Sequence, residues 1–326
     1  GGPEEILEGV LRCDNTRCRA AYPIVDGVPI LVADPAQLLV NQPMALQMPM
    51  HPTTLATCVQ GATDDAPLSR VLEHLSIYLD AHWGDRAQPA AAPPATPWGG
   101  GALYSAVAEI FPPTSSPAAG CAVELGCSVG RGLSVLRQSS ALTVGIDLHL
   151  PALRAARRLL RGDALPFSRR MLGRHYQPAE IAADPRAAEA ADPPRGRVVL
   201  LCADVLDPPL APAIADRVLA LNVLDSVSLP AQLVSVADGL CAPDGALLLS
   251  SPYTWQSSVV REGHRIDAEQ GQPERALRTQ FQTGAGLSAA YRLDWEAQLP
   301  WDLRRDARSV QRYWIDTMLL RKGAPA

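Results

Sequence analysis

The 326-residue sequence lacks several features that mark membrane and nucleic-acid-binding proteins. No apolar run approaches the roughly 20 residues that cross a bilayer, and we find no signal peptide, so a membrane partner is not expected. Basic charge is not in excess either. The net charge of -5 gives no electrostatic reason for strong nucleic-acid binding. An apolar content of 47% with 19% charged residues fits a soluble globular protein.

The chain also lacks the even cysteine count of a disulfide framework. It has seven cysteines, and four of them lie in apolar, strand-like or motif segments. This pattern favours reduced thiols and therefore a cytoplasmic protein. Cys13 and Cys18 stand five positions apart, but two thiolates do not complete a tetrahedral zinc site, so we predict no metal.

Residues 1–40 are predicted to form a small extended module. Asp26 and Gly27 lie between two short apolar runs, which is a typical signal of a β-hairpin turn. We expect this hairpin to pack on the main domain.

Residues 41–110 are predicted to be a helical extension. Residues 41–65 show no clear period and are assigned to a loop. Apolar side chains recur at intervals of three and four over 66–83, which indicates an amphipathic helix. The Ala-, Pro- and Gly-rich stretch 87–101 is predicted to be a mobile loop, and a second helix is expected over 102–110.

From residue 111 to residue 326 strand and helix patterns alternate, interrupted by a basic, proline-rich insertion at 162–195. This alternation predicts an α/β fold, a doubly wound and mostly parallel sheet with helices on both faces. Two late strand candidates predict an antiparallel C-terminal hairpin. The predicted strands are 120–125, 142–147, 197–202, 216–221, 246–251, 290–298 and 312–321, and the predicted helices are 131–138, 151–161 and 229–241.

The loop after the first of these strands is the clearest binding signal. Glycines at 126 and 130 let the backbone approach a ligand, and the following helix N-terminus offers N–H groups to an anion. A dinucleotide loop needs three glycines in G-x-G-x-x-G to admit a pyrophosphate. Here Ser128 stands between the two glycines, in a G-x-S-x-G spacing that disfavours a dinucleotide.

Later strand ends carry side chains suited to a nucleoside. Asp147 ends the second strand, 21 residues after Gly126, where a carboxylate can accept both hydrogen bonds of a ribose diol. Asp204 and Val205 follow the third strand and suit the amino group and flat face of adenine. Asn222 follows the fourth strand. Because ligands of open α/β sheets lie beyond the carboxyl ends of the strands, these residues are expected to share one site.

These motifs resemble class I S-adenosylmethionine methyltransferases. Their loop reads E-x-G-x-G-x-G, with Ser128 here in place of the middle glycine, and a Pro-Asp-Gly turn (243–245) precedes a later strand. The resemblance implies a Rossmann-like class I methyltransferase sheet and S-adenosylmethionine as cofactor. The cofactor-binding residues it implies are Glu124, Gly126, Cys127, Ser128, Gly130, Arg131, Asp147, Leu148, Asp204, Val205 and Asn222.

A narrower resemblance spans about residues 68–322. Segments 75–84, 125–131, 144–147, 222–224, 251–255 and 299–308 are similar to the 4-mercaptohistidine N-methyltransferase domain of ovothiol-forming enzymes. This implies a small-molecule acceptor, with the imidazole nitrogen of a thiolated histidine as the best candidate. By position, Asn222, Asp225, Tyr253 and Trp255 are predicted to orient the acceptor, and Arg169, Arg170 or Arg174 to bind an amino-acid carboxylate.

The N-terminal module has a resemblance of its own. Its Tyr-Pro-Ile, Asp-Gly and Val-Pro-Ile-Leu elements resemble the second half of the zinc-ribbon-like domain of methyltransferase activators, without the first cysteine pair. Two alternatives stay open: methylation of another small metabolite or natural product, and a non-catalytic partner subunit whose module docks another protein. The sequence gives no sign of an oligomer.

Overall fold

The computed structural model places most of the chain in three β-sheets and eight α-helices, counted over the residues it describes. Those residues are 5–41, 46, 50–60, 62–88, 99–114, 118–184, 195–267 and 270–324. The strands are β1 (Gly9–Arg12), β2 (Ala21–Val25), β3 (Val28–Pro29), β4 (Ala87–Gln88), β5 (Ala118–Leu125), β6 (Ser140–Asp147), β7 (Leu165–Leu172), β8 (His175–Ile181), β9 (Arg197–Cys202), β10 (Ala215–Leu221), β11 (Cys241–Ser251), β12 (Tyr291–Arg304) and β13 (Val310–Lys322). The helices are α1 (Pro35–Asn41), α2 (Pro52–Gln60), α3 (Pro67–Trp83), α4 (Ala102–Ile110), α5 (Arg131–Leu136), α6 (Leu150–Leu160), α7 (Pro230–Leu240) and α8 (Pro273–Thr283).

The large sheet has seven strands in the order β12-β13-β11-β10-β5-β6-β9. Strands β9, β6, β5, β10 and β11 are parallel, and β13 and β12 are antiparallel to them. The central strands are near-continuous apolar runs because helices cover both faces of the sheet. Val123 and Leu125 on β5 and Leu247 and Leu248 on β11 are completely buried. The predicted doubly wound sheet with an antiparallel C-terminal hairpin is confirmed.

The direction of strand addition reverses between β5 and β10. From β5 the chain adds β6 and then β9 on one side, and it then returns to add β10 and β11 on the other. A crevice opens at such a switch point, beyond the carboxyl ends of the strands. The residues that follow β5, β6 and β10 therefore meet at one edge of the sheet.

Three elements differ from the sequence-based expectations. Residues 41–65, assigned to a loop, contain α2, whose Val59 is completely buried. The insertion 162–195 contains the hairpin β7–β8, which packs against α2 and α3. Helix α8 was not predicted at all. Both α2 and the hairpin are short and bury their apolar residues against each other, so neither gives a strong periodic signal alone. Most of the predicted mobile loop, residues 89–98, lies outside the described residues.

The N-terminal strands β1 to β3 form a small antiparallel sheet that docks on the main domain. Its hairpin turns at Asp26 and Gly27, both with positive φ (50° and 73°), as a two-residue turn between right-twisted strands requires. Leu31 N–H donates to the Cys202 carbonyl (2.8 Å), which joins the module to the edge strand β9. Asp26 also pairs with Arg154 (3.2 Å) on α6.

Helix α3 is anchored by a buried cluster of three charges. Asp80 accepts hydrogen bonds from Arg169 of β7 (2.8 Å from Nη2) and from Arg304 of β12 (2.9 Å from Nη1). All three side chains are almost completely buried. A buried carboxylate with two guanidinium partners ties the helix to both hairpins, because removing any partner would leave an unpaired charge. Arg169 is therefore committed to this cluster.

Candidate active site

The loop from β5 to α5 adopts a backbone suited to small residues. Gly126, Ser128 and Gly130 all have positive φ, at 76°, 47° and 77°. A Cβ on Gly126 would come within 2.8 Å of a Val223 methyl group, so glycine is required there. Ser128 holds the left-handed conformation that a glycine would adopt without strain. This explains how a serine stands in the middle of a glycine loop.

Glu124 is the penultimate residue of β5, and its carboxylate lies beside Gly132 and Leu133 at the start of α5. It is only 1% exposed and accepts the backbone N–H of Leu133 in the first turn of α5. A Cβ on Gly132 would lie 2.2 Å from Glu124 Oε1, so this arrangement depends on glycine at position 132. The helix N-terminus that was expected to offer itself to an anion is thus capped by the protein's own acid.

The electrostatics of Glu124 are unusual. Burial raises its pKa to about 8, against the opposing hydrogen bond from Leu133. Its Oε2 has no hydrogen-bond partner among the described residues. A buried acceptor without a partner costs free energy unless a ligand supplies the donor.

Asp147, at the end of β6, organises the neighbouring backbone. Its Oδ2 accepts the Ser128 N–H and its Oδ1 accepts the His149 N–H, each at 2.8 Å. Burial raises its pKa, and these hydrogen bonds oppose the rise. Each carboxylate oxygen can accept a further bond, so Asp147 can receive two hydroxyl groups while it keeps the loop in place.

A cavity of about 210 Å³ lies at these strand ends, between two walls of different origin. One side is built from the ends of β6 and β10 and from the segments that follow β5, β6, β9 and β10. We call it the strand-end wall, and it comprises Gly126, Ser128, Asp147, Leu148, Val205, Leu221, Asn222, Val223, Ser226 and Val227. We call the opposite side, from α3, α4 and β12, the aromatic wall: His74, Tyr78, His82, Tyr104 and Trp301.

The aromatic wall begins with a ladder along α3. His74, Tyr78 and His82 are four residues apart and so lie on one face of the helix. The His74 ring is 4.4 Å from the Tyr78 ring and 4.1 Å from the ring of His149, which follows β6. Tyr104 Oη is 3.0 Å from His82 Nε2. The ladder therefore connects the helix to the end of β6 on one side and to α4 on the other.

Burial keeps the histidines around the cavity neutral. It lowers the pKa of His74 and of His82 to about 3 and that of His149 to about 4. Burial also raises the pKa of Tyr78 to about 12. Among the described residues that line the cavity, Asp147 is therefore the single formally charged side chain near neutral pH. Since no lysine or arginine is in that lining, an anionic group would find no cationic partner there.

Asn222 is the predicted acceptor-side residue that the structure places in the cavity lining. It has a positive φ of 54°, and its Oδ1 accepts the Ser250 hydroxyl (3.0 Å). Its NH2 group is thus the part available to a ligand. Strained residues of this kind concentrate at functional sites.

Asp225, Tyr253 and Trp255 do not line the cavity. Asp225 is 2% exposed and accepts the backbone N–H of Thr254 (3.0 Å) and its hydroxyl, so it ties the segment after β10 to that after β11. Tyr253 and Trp255 have positive φ (51° and 43°), and their rings lie 6.0 Å apart. Their predicted roles toward an acceptor stay predictions.

The other predicted cofactor residues are placed in different ways. Leu148 and Val205 line the cavity, whereas Asp204 accepts the Leu206 N–H (2.9 Å) and is not part of the lining. Cys127 is completely buried with its thiol pKa raised well above the usual value, and its backbone N–H donates to the Ile146 carbonyl (3.0 Å). Arg131 stacks over the Trp83 ring (4.6 Å) and pairs with Asp85. Gly130 is the N-cap of α5, and a Cβ there would lie 2.8 Å from the Ala156 side chain.

Sequence reasoning missed the aromatic wall. His82 and Trp301 entered that reasoning only within segments 75–84 and 299–308 of the narrower resemblance, without a role of their own. One signal was available, because His74, Tyr78 and His82 recur every four residues on a helix that was itself predicted. Trp301 gave no such signal, since only the folded β12 brings it across from α3. Among the described residues there is no cluster of three or more His, Cys, Asp or Glu that could hold a metal.

The central part of the chain matches a family model. Residues 123–249 match the model described as a methyltransferase domain. This segment, 127 of the 326 residues, is thus similar to a methyltransferase domain. Its cofactor is S-adenosylmethionine, and the observed sheet is that of the class I methyltransferase fold. The predicted fold and cofactor are thereby confirmed. None of the curated proteins compared with the chain matches it.

Several solved structures are similar to parts of the chain at low identity. A putative methyltransferase from Bacillus halodurans is 12% identical, with 68% of this chain and 99% of that chain covered at a TM-score of 0.43. An S-adenosylmethionine-dependent methyltransferase from Methanosarcina mazei is 12% identical (66% and 97%, TM-score 0.43). A complex of the Haloferax volcanii Trm112 methyltransferase activator with a putative methyltransferase gives 12% (68% and 90%, 0.42). At these TM-scores the likenesses carry no argument about substrate or partner.

The residues of the matched segment fit the cofactor. The unpartnered buried oxygen of Glu124 suits its ammonium group, and Asp147 has acceptor capacity for two ribose hydroxyls. Gly126 has no side chain, so its backbone itself lines the cavity where a ligand can approach it. Leu148 and Val205 supply apolar surface for a flat base. No helix in the described residues is long and apolar enough to cross a membrane.

Proposed function

We propose that the protein transfers a methyl group from S-adenosylmethionine to a nitrogen of a small molecule, with the imidazole nitrogen of a thiolated histidine as the best candidate. Two acids on neighbouring strands carry the cofactor part. Glu124 on β5 has a buried oxygen without a described partner, and Asp147 on β6 lines the cavity and orders the loop. The acceptor part is supported by the resemblance of segments 75–84 and 251–255 to a mercaptohistidine N-methyltransferase domain.

When bound, the cofactor supplies a methyl group activated by its sulfonium. The protein's own residues do the rest by binding and orientation. Asp147 would hold the ribose, Glu124 the ammonium group, and Leu148 with Val205 the base. The Asn222 amide lies in the cavity lining at the end of β10 and can donate to an acceptor.

No strong base is needed for this reaction, because a neutral imidazole nitrogen already carries a lone pair. The cavity agrees with this requirement. His74 and His82 have pKa values of about 3, so neither is a strong proton acceptor. Residues that exclude water and align the acceptor are then sufficient. We place the protein in the cytoplasm, since its four buried free thiols favour a reducing compartment.

Calorimetry with S-adenosylhomocysteine tests the cofactor part, and absence of binding would refute it. The acceptor is tested by incubating the protein with S-adenosylmethionine and 4- or 5-thiolated histidine and measuring the mass of the products. We expect a gain of one methyl group. No methylated product with either isomer would remove the histidine proposal and leave another small metabolite as acceptor.

The alternative of a non-catalytic partner subunit makes a different prediction. A scaffold that has lost its activity has no reason to keep a buried, unpartnered carboxylate, because Glu124 costs stability in the absence of a ligand. Replacement by glutamine would then stabilise the protein without any loss of binding. We expect instead that Glu124→Gln weakens S-adenosylhomocysteine binding.

A further inference from the structure

Seven aromatic rings form one connected network beside the cavity. Six ring contacts join them, and five of the seven rings belong to the aromatic wall. Four of the seven rings are tyrosine or tryptophan, although these residues together with phenylalanine make up only 5% of the sequence. The network comprises His149, His74, Tyr78, His82, Tyr104, Trp301 and Tyr313.

Two of the three rings that contact Tyr78 are inclined to it, whereas the third, that of His74, stacks on it. The Tyr78 centroid lies 5.9 Å from that of His82 with the planes at 67°, and 6.4 Å from that of Trp301 with the planes at 51°. Tyr78, His82 and Trp301 all line the cavity, and the inclination of Tyr78 to the other two keeps the three rings from forming a single parallel stack.

This surface is electron-rich and carries no formal charge. His82 is neutral, and Tyr78 keeps its phenolic proton. The face of an aromatic ring attracts cations through its quadrupole, and boxes of such rings bind quaternary ammonium groups. Asp147 adds a negative charge to the same lining, and the described lining has no cationic side chain. The cavity therefore favours positive charge over negative charge.

We propose that Tyr78, His82 and Trp301 form a subsite for an acceptor nitrogen that becomes positively charged as it is methylated. This inference rests on the proposed methyltransferase function and deepens it by naming the residues that favour a nitrogen acceptor. The nitrogen lone pair forms the new N–C bond while the C–S bond breaks, with its electron pair remaining on sulfur. Positive charge passes from sulfur to nitrogen, and total charge is conserved.

The acceptor class follows from this charge movement. A heteroaromatic nitrogen or an amine ends the transfer as a cation, which the rings stabilise more than they stabilise the neutral starting nitrogen. A carboxylate or phosphate oxygen would instead begin as an anion, and the described lining offers it no cationic side chain. The subsite thus selects nitrogen acceptors by stabilising the charge they develop.

A pair of probes with the same shape isolates the charge. Choline and 3,3-dimethylbutan-1-ol differ mainly in the replacement of N⁺ by carbon. Binding of each is measured by ligand-observed NMR titration with the protein saturated with S-adenosylhomocysteine. We expect choline to bind at least tenfold more tightly. Equal affinity, or tighter binding of the alcohol, would overturn the subsite.

Variants locate the effect. Tyr78→Leu and Trp301→Leu should each reduce choline affinity at least tenfold, whereas Tyr78→Phe, which keeps the ring, should retain it. Trp314→Leu is the matched control, because Trp314 is 62% exposed on the neighbouring strand β13. If the leucine variants do not fold, the probe pair on the unmodified protein still decides. Loss of choline binding in Trp314→Leu would contradict the assignment.

The failure of this inference is separable from that of the proposed function. If S-adenosylhomocysteine does not bind, the proposed function itself fails. If it binds but choline then shows no preference over the alcohol, only the acceptor subsite fails. Choline binding that disappears once S-adenosylhomocysteine is present would mean that the rings face the cofactor and would also overturn the acceptor subsite.

Discussion

The strand-end wall and the aromatic wall face the same cavity, but they differ in where their residues lie along the chain. The strand-end wall is assembled from residues at or just after parallel strand ends, so sheet topology alone brings them together. The aromatic wall comes from two helices before the sheet and a strand near the C-terminus. Its position depends on tertiary contacts, above all the buried Asp80 cluster. Substitutions in the strand-end wall should therefore change cofactor affinity, whereas substitutions in the aromatic wall should change stability and acceptor binding.

The largest expected effect is on the strand-end wall. Asp147→Ala removes the hydrogen bonds that order Ser128 and His149 as well as those offered to a ribose. We expect the affinity for S-adenosylhomocysteine to fall by about 3–4 kcal/mol, or at least 100-fold, in calorimetry. Asp216→Ala is the matched control, because Asp216 also accepts a backbone N–H (Cys121, 2.9 Å) but does not line the cavity. A change of less than fivefold in Asp147→Ala would contradict the ribose role.

A second effect is a pH dependence of cofactor binding, which arises at Glu124 beside the strand-end wall. Glu124 has a pKa of about 8, so it is mostly protonated below that pH, while binding of an ammonium group favours its ionised form. Affinity for S-adenosylhomocysteine should therefore fall by about tenfold for each pH unit between pH 8 and pH 6. The measurement is calorimetry across this range.

Glu124→Gln is the control for that pH dependence. The ligand's own amino group titrates near the same pH, but it does so equally with both proteins. The difference between the two profiles then belongs to Glu124. Parallel profiles would show that this carboxylate does not meet the ammonium group.

The aromatic wall should respond to acid through stability. The pKa of His74 is lowered from its ordinary value to about 3, so the unfolded chain binds the proton more readily between pH 6.5 and pH 3. The free energy of unfolding must therefore decrease as pH falls through this window, and His74 alone contributes about 2 kcal/mol of that decrease by pH 5. In urea unfolding at pH 7 and pH 5, His74→Phe should lose less stability than the parent by this amount. His175→Phe, an exposed change, should follow the parent; identical losses in all three would refute the buried titration.

The smallest effect concerns the loop itself. Ser128→Gly relieves a left-handed conformation and removes a buried hydroxyl without a described partner, at the cost of a more flexible unfolded chain. The net expectation is a gain of about 1 kcal/mol in the free energy of unfolding. The same change at Ser235, exposed on helix α7, should instead destabilise by about 0.5–1 kcal/mol. Destabilisation at both positions would mean that Ser128 is not strained.

The sequence was informative where local chemistry and topology agree. Alternating strand and helix patterns predicted the sheet, and Gly126, Asp147 and Asn222 were expected together because parallel strand ends share one edge. Helix α2 and the β7–β8 hairpin were not predicted, since each depends on the other for burial. The capping of α5 by Glu124 could not be predicted from the sequence, because the carboxylate reaches the Leu133 N–H only once the intervening loop has folded. Trp301 reaches the cavity only through strand pairing more than two hundred residues after α3 begins.

The two edges of the large sheet are protected by different means. β12 alternates charged and polar residues along its exposed side, among them Arg292, Asp294 and Glu296, and such side chains discourage pairing with another chain. β9 has mostly apolar residues, and the N-terminal module covers its C-terminal end, where the Leu31 N–H donates to the Cys202 carbonyl. The module thus hinders pairing of the apolar edge strand β9 with a strand of another chain. A chain shortened by that module would present β9 to its neighbours and would be prone to aggregate even with its cavity intact.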